Sequence, residues 1–441
     1  MYMTSVLHNL TTHRYFAILS LFLKRNKIPL ALFCIGFGIR FLYAVAVQLF
    51  YGSQAFFAFS DSEMYIRIAT NLIHHGVLSS AVQEPFFPDS YRTPLFPLFI
   101  AFFIWLKTPL LGIVFIQNVL SGVMAAVTYK IGKILFLSET VGIVAAFLLI
   151  FEPSFIYWNS LLMSETLFSF FLLMAFHCFI IKRFHWFSVL IALATLTRPI
   201  GLYLFFIFAI AWLIWRLSAP RFLVEFRWKT AVVSVSLFIL ILSPWMIRNK
   251  IVFDTFELAS ASWFNLYMVS MGTFAQQYSL DIPKPEGGGG MFGNEFPNFS
   301  FYKHNFLTVL KENPVSFPGF YLMSTLKSFM NHDYWYLVHY VMGVKLPRII
   351  TPPIQQILYF SGAAFWFEVY VFIGIAILKR EILYPALFLI ALIGTNNLLN
   401  GYNGLISAGG RYALPIFPFL FLLGSYGFIV MRDFIFRYAR H

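Results

Sequence analysis

Long apolar runs, each closed by a basic cluster or a short polar stretch, divide this chain. Pro29–Phe50 is the first, long enough at the ~20 residues a bilayer demands to cross as a helix. Polar residues 51–93 follow. Pro94–Leu106 is apolar but too short to span, and reads as a half-helix or interfacial helix opened by Pro94. Pro109–Tyr129, Val141–Trp158 and Leu162–Ile181 predict three further spans. Residues 187–215 predict a tight helix pair broken at Arg198-Pro199, since proline cannot continue a helix. Val232–Ile247 predicts another span and leads into a second long segment, 249–353. That segment holds Gly287–Gly290, which favours neither helix nor strand. Residues 285–294 are therefore expected to form a mobile loop, either a lid or a plain connector. Two apolar pieces, 315–330 and 334–346, read as interfacial. Ile357–Leu378, Ile382–Leu399 and Tyr412–Val430 complete an all-α polytopic bundle of about ten to twelve spans.

Charge orients these runs. Lys24, Arg25 and Lys27 precede the first; Lys130 and Lys133 close the second; Lys182 and Arg183, Arg221 and Arg227, Lys379 and Arg380, and Arg432 and Arg437 mark later turns on the same side. Lysine and arginine gather in cytoplasmic loops, so both ends are expected inside and residues 51–93 and 249–353 outside. The expected organisation is a cytoplasmic stretch 1–27, a membrane core 28–248 with its outer loop 51–93, the outer segment 249–353, and C-terminal helices with a tail over 354–441. Composition agrees. The chain is 60% hydrophobic and 11% charged, with a mean hydropathy of +0.76, which excludes an ordinary soluble domain. The net charge of +13 follows from the inside bias, and no nucleic-acid partner is expected. Cys34 and Cys178 lie within apolar runs and read as small core residues. Residues 1–27 do not read as a cleavable signal, because the run after them is long enough to stay as an anchor.

Against that background the acids stand out: only 18 of 441 residues are Asp or Glu. Asp61 and Glu63 sit in FSDSEMY, just past the first apolar run, and Tyr91-Arg92-Thr93-Pro94 closes the same outer loop. Sorted by side, Asp61, Glu63, Arg92, Glu165, Arg248 and Arg411 all fall near the outer face at the ends of apolar segments. Ions near lipid pair with one another or line a wet pathway. Arg92, Arg248 and Arg411 are candidates for holding a phosphate, which guanidinium grips bidentately. Asp61 is the candidate base for an acceptor hydroxyl, and Tyr65, four residues on, would share its helix face and position it. Glu63, two residues on, would not share that face. Either the segment is not helical or the two acids do different jobs. Metal ligation by His74-His75 is disfavoured, because histidine before glycine fits a helix end. No cofactor or metal is expected.

Six segments together resemble the GT-C class of glycosyltransferases that use polyprenyl-phosphate sugars. That class includes protein O-mannosyltransferases and bacterial transferases that place aminoarabinose on lipid A. FSDSEMYIRIATNLIHHG resembles the first outer loop. YRTPLFPLFIA resembles the basic-residue-proline opening of the next helix, NSLLMSETLFSFFLLMAF the acid-bearing span, and LATLTRPIGLYLF the Arg/Lys-Pro break. SPWMIRNKIVFDTF and GGRYALPIFPFLFLLG resemble the approach to the large outer loop and the last span. The resemblance covers roughly residues 30–270 and 380–430. It implies a membrane enzyme that moves a monosaccharide from a polyprenyl-phosphate donor to an acceptor at the outer face, directly and with inversion. It implies Asp61 as the acceptor-activating acid, Arg92 near the donor phosphate, and Glu165 as a second acid of the cavity. Tyr65, Tyr91 and Arg198 would position substrate. Here Asp-Ser-Glu stands where many relatives have adjacent acids, and Thr93 replaces the first of two prolines.

Two other readings stand beside this one. A lipid-linked saccharide flippase would be expected to show inverted repeats and charges near the midplane; no repeat is visible in this chain. A glycan polymerase or ligase would use arginines on pyrophosphate. The sugar is open, and so is the acceptor: protein, lipid or polysaccharide. A bacterial inner membrane, with the site facing the periplasm, is the expected location.

Overall fold

The computed structural model describes residues 26–57, 60–218, 228–285, 294–330, 334–335, 337, 351–400 and 409–439. The expected mobile segment falls largely outside the described residues, as do 1–25 and most of 334–346. Every described element is helical. The membrane bundle opens with α1 (Lys27–Tyr51), α2 (Ser60–His75), α3 (Leu95–Trp105) and α4 (Leu110–Leu135). It continues through α5 (Glu139–Phe151), α6 (Pro153–Asn159), α7 (Ser164–Ile180), α8 (Phe184–Thr197), α9 (Ile200–Ser218) and α10 (Trp228–Phe253). A second layer follows: α11 (Ala261–Phe264), a π-helical segment Asn265–Met271, α12 (Gly272–Gln277), α13 (Phe299–Glu312) and α14 (Ser316–Met330). Three last helices close the bundle: α15 (Thr351–Ile377), α16 (Leu383–Asn400) and α17 (Phe417–Tyr438).

Among the described residues, six helices are long and apolar enough to cross a membrane: α1, α4, α10, α15, α16 and α17. The chain is an all-α polytopic bundle of the multi-pass membrane type. Each place where the hydrophobic pattern predicts a span holds a helix, but α7, α8 and α9 are shorter than the ~20 residues a straight crossing needs. The expected single span Val141–Trp158 is two helices, α5 and α6, bent by 57°. Pro153 causes the break: it has no N–H to continue the helix, and Glu152 accepts the Phe155 N–H at 2.6 Å to start a new one. The half-helix expected at Pro94–Leu106 is α3, opened at Pro94.

Among the six candidate spans, α17 has the most enclosed apolar stretch, 72% buried, against 22% for α10 and α15. It is the centre of the bundle. Phe176, Phe208, Phe388 and Phe419 stack around it and its neighbours. The outer helices expose large apolar side chains such as Leu42, Leu49, Phe50, Ile239 and Phe360, which suits lipid and would be unfavourable in water. Glycines let some helices touch backbone to backbone; a Cβ at Gly427 would collide with the Phe372 carbonyl. The second layer has its own aromatic core, Phe264, Tyr267, Phe274, Tyr302, Phe306, Phe317 and Phe320, which also receives Tyr91. That contact joins the second layer to the loop before α3.

A charged cluster at one end of the bundle

Helix α2 begins at Ser60, so Asp61 and Glu63 lie in its first turn, where the backbone dipole favours acids. Its two faces differ. Met64, Tyr65, Ile68 and Ala69 are buried, while Glu63 is 55% exposed. The segment is helical, so the two acids face different ways. Glu63 faces outward and lies 4.0 Å from Arg67 on the next turn. It lines an open groove of about 710 Å³ with Phe57, Ile66, Arg67, Thr70, Asn71 and Val82. Asp61 does not line that groove; it turns into the bundle.

There Asp61 meets two arginines from distant parts of the chain. Its Oδ1 lies 2.6 Å from Arg92 Nη2, and its Oδ2 lies 2.8 Å from Arg411 Nη2. Glu165, 2% exposed at the start of α7, pairs with Arg198 Nη1 at 2.6 Å and lies 3.6 Å from Arg411 Nε. Arg411 thus sits between the two acids. Arg92 donates to the Tyr65 phenol at 3.4 Å; that phenol donates to Ser164 Oγ at 3.2 Å, and Ser164 donates to Glu165 at 3.5 Å. The guanidiniums also lie against aromatic rings: Arg92 over Tyr65 at 4.6 Å, Arg411 over Tyr412 at 4.6 Å and Arg198 over Tyr412 at 5.2 Å. Such contacts hold a cation that is losing its water.

Local sequence explains how each group is presented. Arg198 is extended at the end of α8 because Pro199 follows it. Thr93, the departure from the double proline, donates to the Thr197 carbonyl at 2.8 Å and ties the Tyr91-Arg92 loop to that break. Asp89 shapes the loop from within. Its Oδ1 accepts the N–H groups of Tyr91 and Arg92 at 3.0 and 3.1 Å, and its Oδ2 accepts from Ser80 at 2.7 Å. Burial pushes the Asp89 carboxyl up, opposed by these donors and by Arg92.

Charge decides the state of Asp61. Burial alone would raise its pKa, but Arg92 and Arg411 more than reverse this and hold it well below the usual carboxylate range. The cluster holds three guanidiniums, of Arg92, Arg198 and Arg411, against the carboxylates of Asp61 and Glu165, which leaves one positive charge in excess. An enclosed site of that balance is suited to an anion.

Of the residues singled out from sequence, Asp61, Tyr65, Arg92, Glu165, Arg198 and Arg411 come together here. Tyr91 borders them, with Arg92 5.4 Å from its ring. Arg248 does not reach the cluster. It donates to the Asp89 carbonyl at 3.1 Å and lies over Trp245 and Phe253, so it braces the loop that carries Arg92. Sequence reasoning passed over Asp89, Ser164 and Tyr412. Asp89 carried the same signal as Asp61, a scarce acid in the first outer loop; Tyr412 could be suspected only as the neighbour of Arg411. No protein-family model matches the chain, and no curated protein matches its sequence.

Proposed function

We propose that the chain is a membrane glycosyltransferase of GT-C type, moving a monosaccharide from a polyprenyl-phosphate donor to an acceptor hydroxyl at the outer face of a bacterial inner membrane. The observation that carries this reading is the cluster of Asp61, Glu165, Arg92, Arg198 and Arg411, drawn from five segments to one end of the bundle with one cationic charge in excess. Arg92 and Arg411 would grip the phosphodiester. Neutralising its charge makes the lipid phosphate a better leaving group. The acceptor oxygen attacks the anomeric carbon while the bond to the phosphate oxygen breaks, and the hydroxyl proton goes to Asp61. One displacement inverts the anomeric configuration. Acceptor and donor must be held in line for this, which the enclosed cluster favours over an open loop.

The test is transfer from a panel of radiolabelled polyprenyl-phosphate sugars in membranes carrying the wild-type chain or Asp61→Asn. Label that reaches an acceptor with the wild type alone supports the reading and names the sugar. Label found only as donor moved to the opposite leaflet would replace it with a flippase.

A further inference from the structure

We propose that the donor's own phosphate releases Asp61 from a two-arginine clamp, so that the base works only once the donor is bound. This rests on the donor reading above. In the free chain both carboxylate oxygens of Asp61 hold a guanidinium, Arg92 at 2.6 Å and Arg411 at 2.8 Å. A carboxylate between two cations is a poor proton acceptor. Asp61 therefore acts first as the counter-ion that keeps the empty site together.

The other charged and titratable groups around it do not relieve this. Glu165, from α7, is neutralised by Arg198 at the α8–α9 break. Tyr65, on the same helix as Asp61, takes a hydrogen bond from Arg92, and Tyr412 takes one from Arg411. Tyr91 and Asp89 face Arg92 from its own loop. A phosphodiester entering the cluster competes with Asp61 for Arg92 and Arg411, and its planar pairs of oxygens suit the guanidinium fork. Arg411 has a donor to spare for that phosphate, since its Nε makes no hydrogen bond and lies 3.6 Å from Glu165.

Once an arginine has moved to the phosphate, Asp61 recovers basicity beside a new anion. It then takes the acceptor proton as the acceptor oxygen bonds to the anomeric carbon and the carbon–oxygen bond to phosphate breaks, leaving its electron pair on the phosphate. When the lipid phosphate departs, Arg92 and Arg411 return to Asp61 and expel the proton to water. Substrates bind in order, donor before acceptor.

The test uses the purified full-length chain in detergent and a water-soluble carbodiimide with an amine nucleophile, which couples to protonated carboxyls. Coupling at Asp61 is read by peptide mass spectrometry, with exposed Glu63 as internal reference. The additions are decaprenyl monophosphate, inorganic phosphate and decaprenol, with binding of the radiolabelled lipid measured in the same samples. Decaprenyl monophosphate should raise Asp61 coupling about tenfold, the change that one pKa unit gives in the protonated fraction, and decaprenol should not. An equal rise with inorganic phosphate would mean that the headgroup alone opens the clamp; a rise with the lipid form only would mean that the chain is needed to bring it there. Either rise supports the proposal. Lipid phosphate that binds while Asp61 coupling stays flat or falls overturns it and leaves the donor reading standing. No binding of lipid phosphate removes both. A second measurement is independent of labelling: Asp61→Asn lacks the competitor and should bind decaprenyl monophosphate several-fold tighter than wild type. Equal or weaker binding counts against the clamp.

Discussion

Arg40 donates a hydrogen bond at 2.6 Å to the carbonyl of Leu149, the carbonyl that Pro153 leaves unserved four residues on. A guanidinium inside α1 thus repairs the break between α5 and α6. It is fully enclosed, lies over the Phe155 ring at 5.2 Å, and has Glu152 as its opposite charge. The bend it holds directs α6, and with it Trp158, whose ring lies 5.9 Å from Arg411. Arg40→Leu should destabilise the chain by about 1–3 kcal/mol, because it leaves the Leu149 carbonyl without its donor away from water. A thermal unfolding scan in detergent checks this, with Arg40→Lys expected to recover part of the loss. An unchanged midpoint in Arg40→Leu would mean that the bend holds itself.

Glu165, the most enclosed charge of the cluster at 2% exposed, pairs with Arg198 at 2.6 Å. Removing one partner leaves the other charge buried. Arg198→Ala should therefore cost about 3–5 kcal/mol, and the double variant Arg198→Ala with Glu165→Gln should cost less than Arg198→Ala alone. The four unfolding midpoints of this cycle give the coupling; purely additive values would show that the pair contributes no interaction of its own.

The π-helical segment touches the site through one bond, from the Tyr91 phenol to Asn265 Oδ1 at 3.0 Å. Tyr91 is 8% exposed, so Asn265→Ala strands a buried hydroxyl at about 1–3 kcal/mol. Because Arg92 follows Tyr91 directly, the variant is expected to raise the KM for a polyprenyl-phosphate donor several-fold while kcat stays within about twofold. A fall in kcat with KM unchanged would assign Asn265 to the reacting groups instead.

Asp61 also predicts a pH dependence. Its carboxyl is held below its ordinary value of 3.8 by Arg92 and Arg411, against the upward push of burial. A depressed carboxyl adds stability that is full above the ordinary value and is lost as pH falls from there toward the folded value. The wild-type chain should therefore melt at a lower temperature at about pH 3 than at about pH 6, and Asp61→Asn should show a smaller drop over that interval. Equal drops in the two proteins would place the acid sensitivity elsewhere, in Asp254 for instance, which Lys250 also holds low.

Sequence alone determined the class of this protein. Apolar runs of bilayer length permit little besides helices, because lipid offers backbone groups no partner, and the same runs located the break at Arg198-Pro199 and the short helix after Pro94. The scarcity of acids made Asp61 and Glu165 conspicuous for the same reason: an ion near lipid is expensive, so its presence is informative. Tertiary structure alone decided which charges meet. Asp61 pairs with Arg411, 350 positions away in the chain, and no periodicity carries that information. Arg248 and Arg411 look alike in sequence, both flanking an apolar span, yet one braces the Asp89 loop and the other divides itself between Asp61 and Glu165. The bend at Glu152-Pro153 depended on a partner as well. Proline announces a break, but whether the chain ends its helix there or bends and goes on rests on what satisfies the freed carbonyl, and that group, Arg40, comes from another helix.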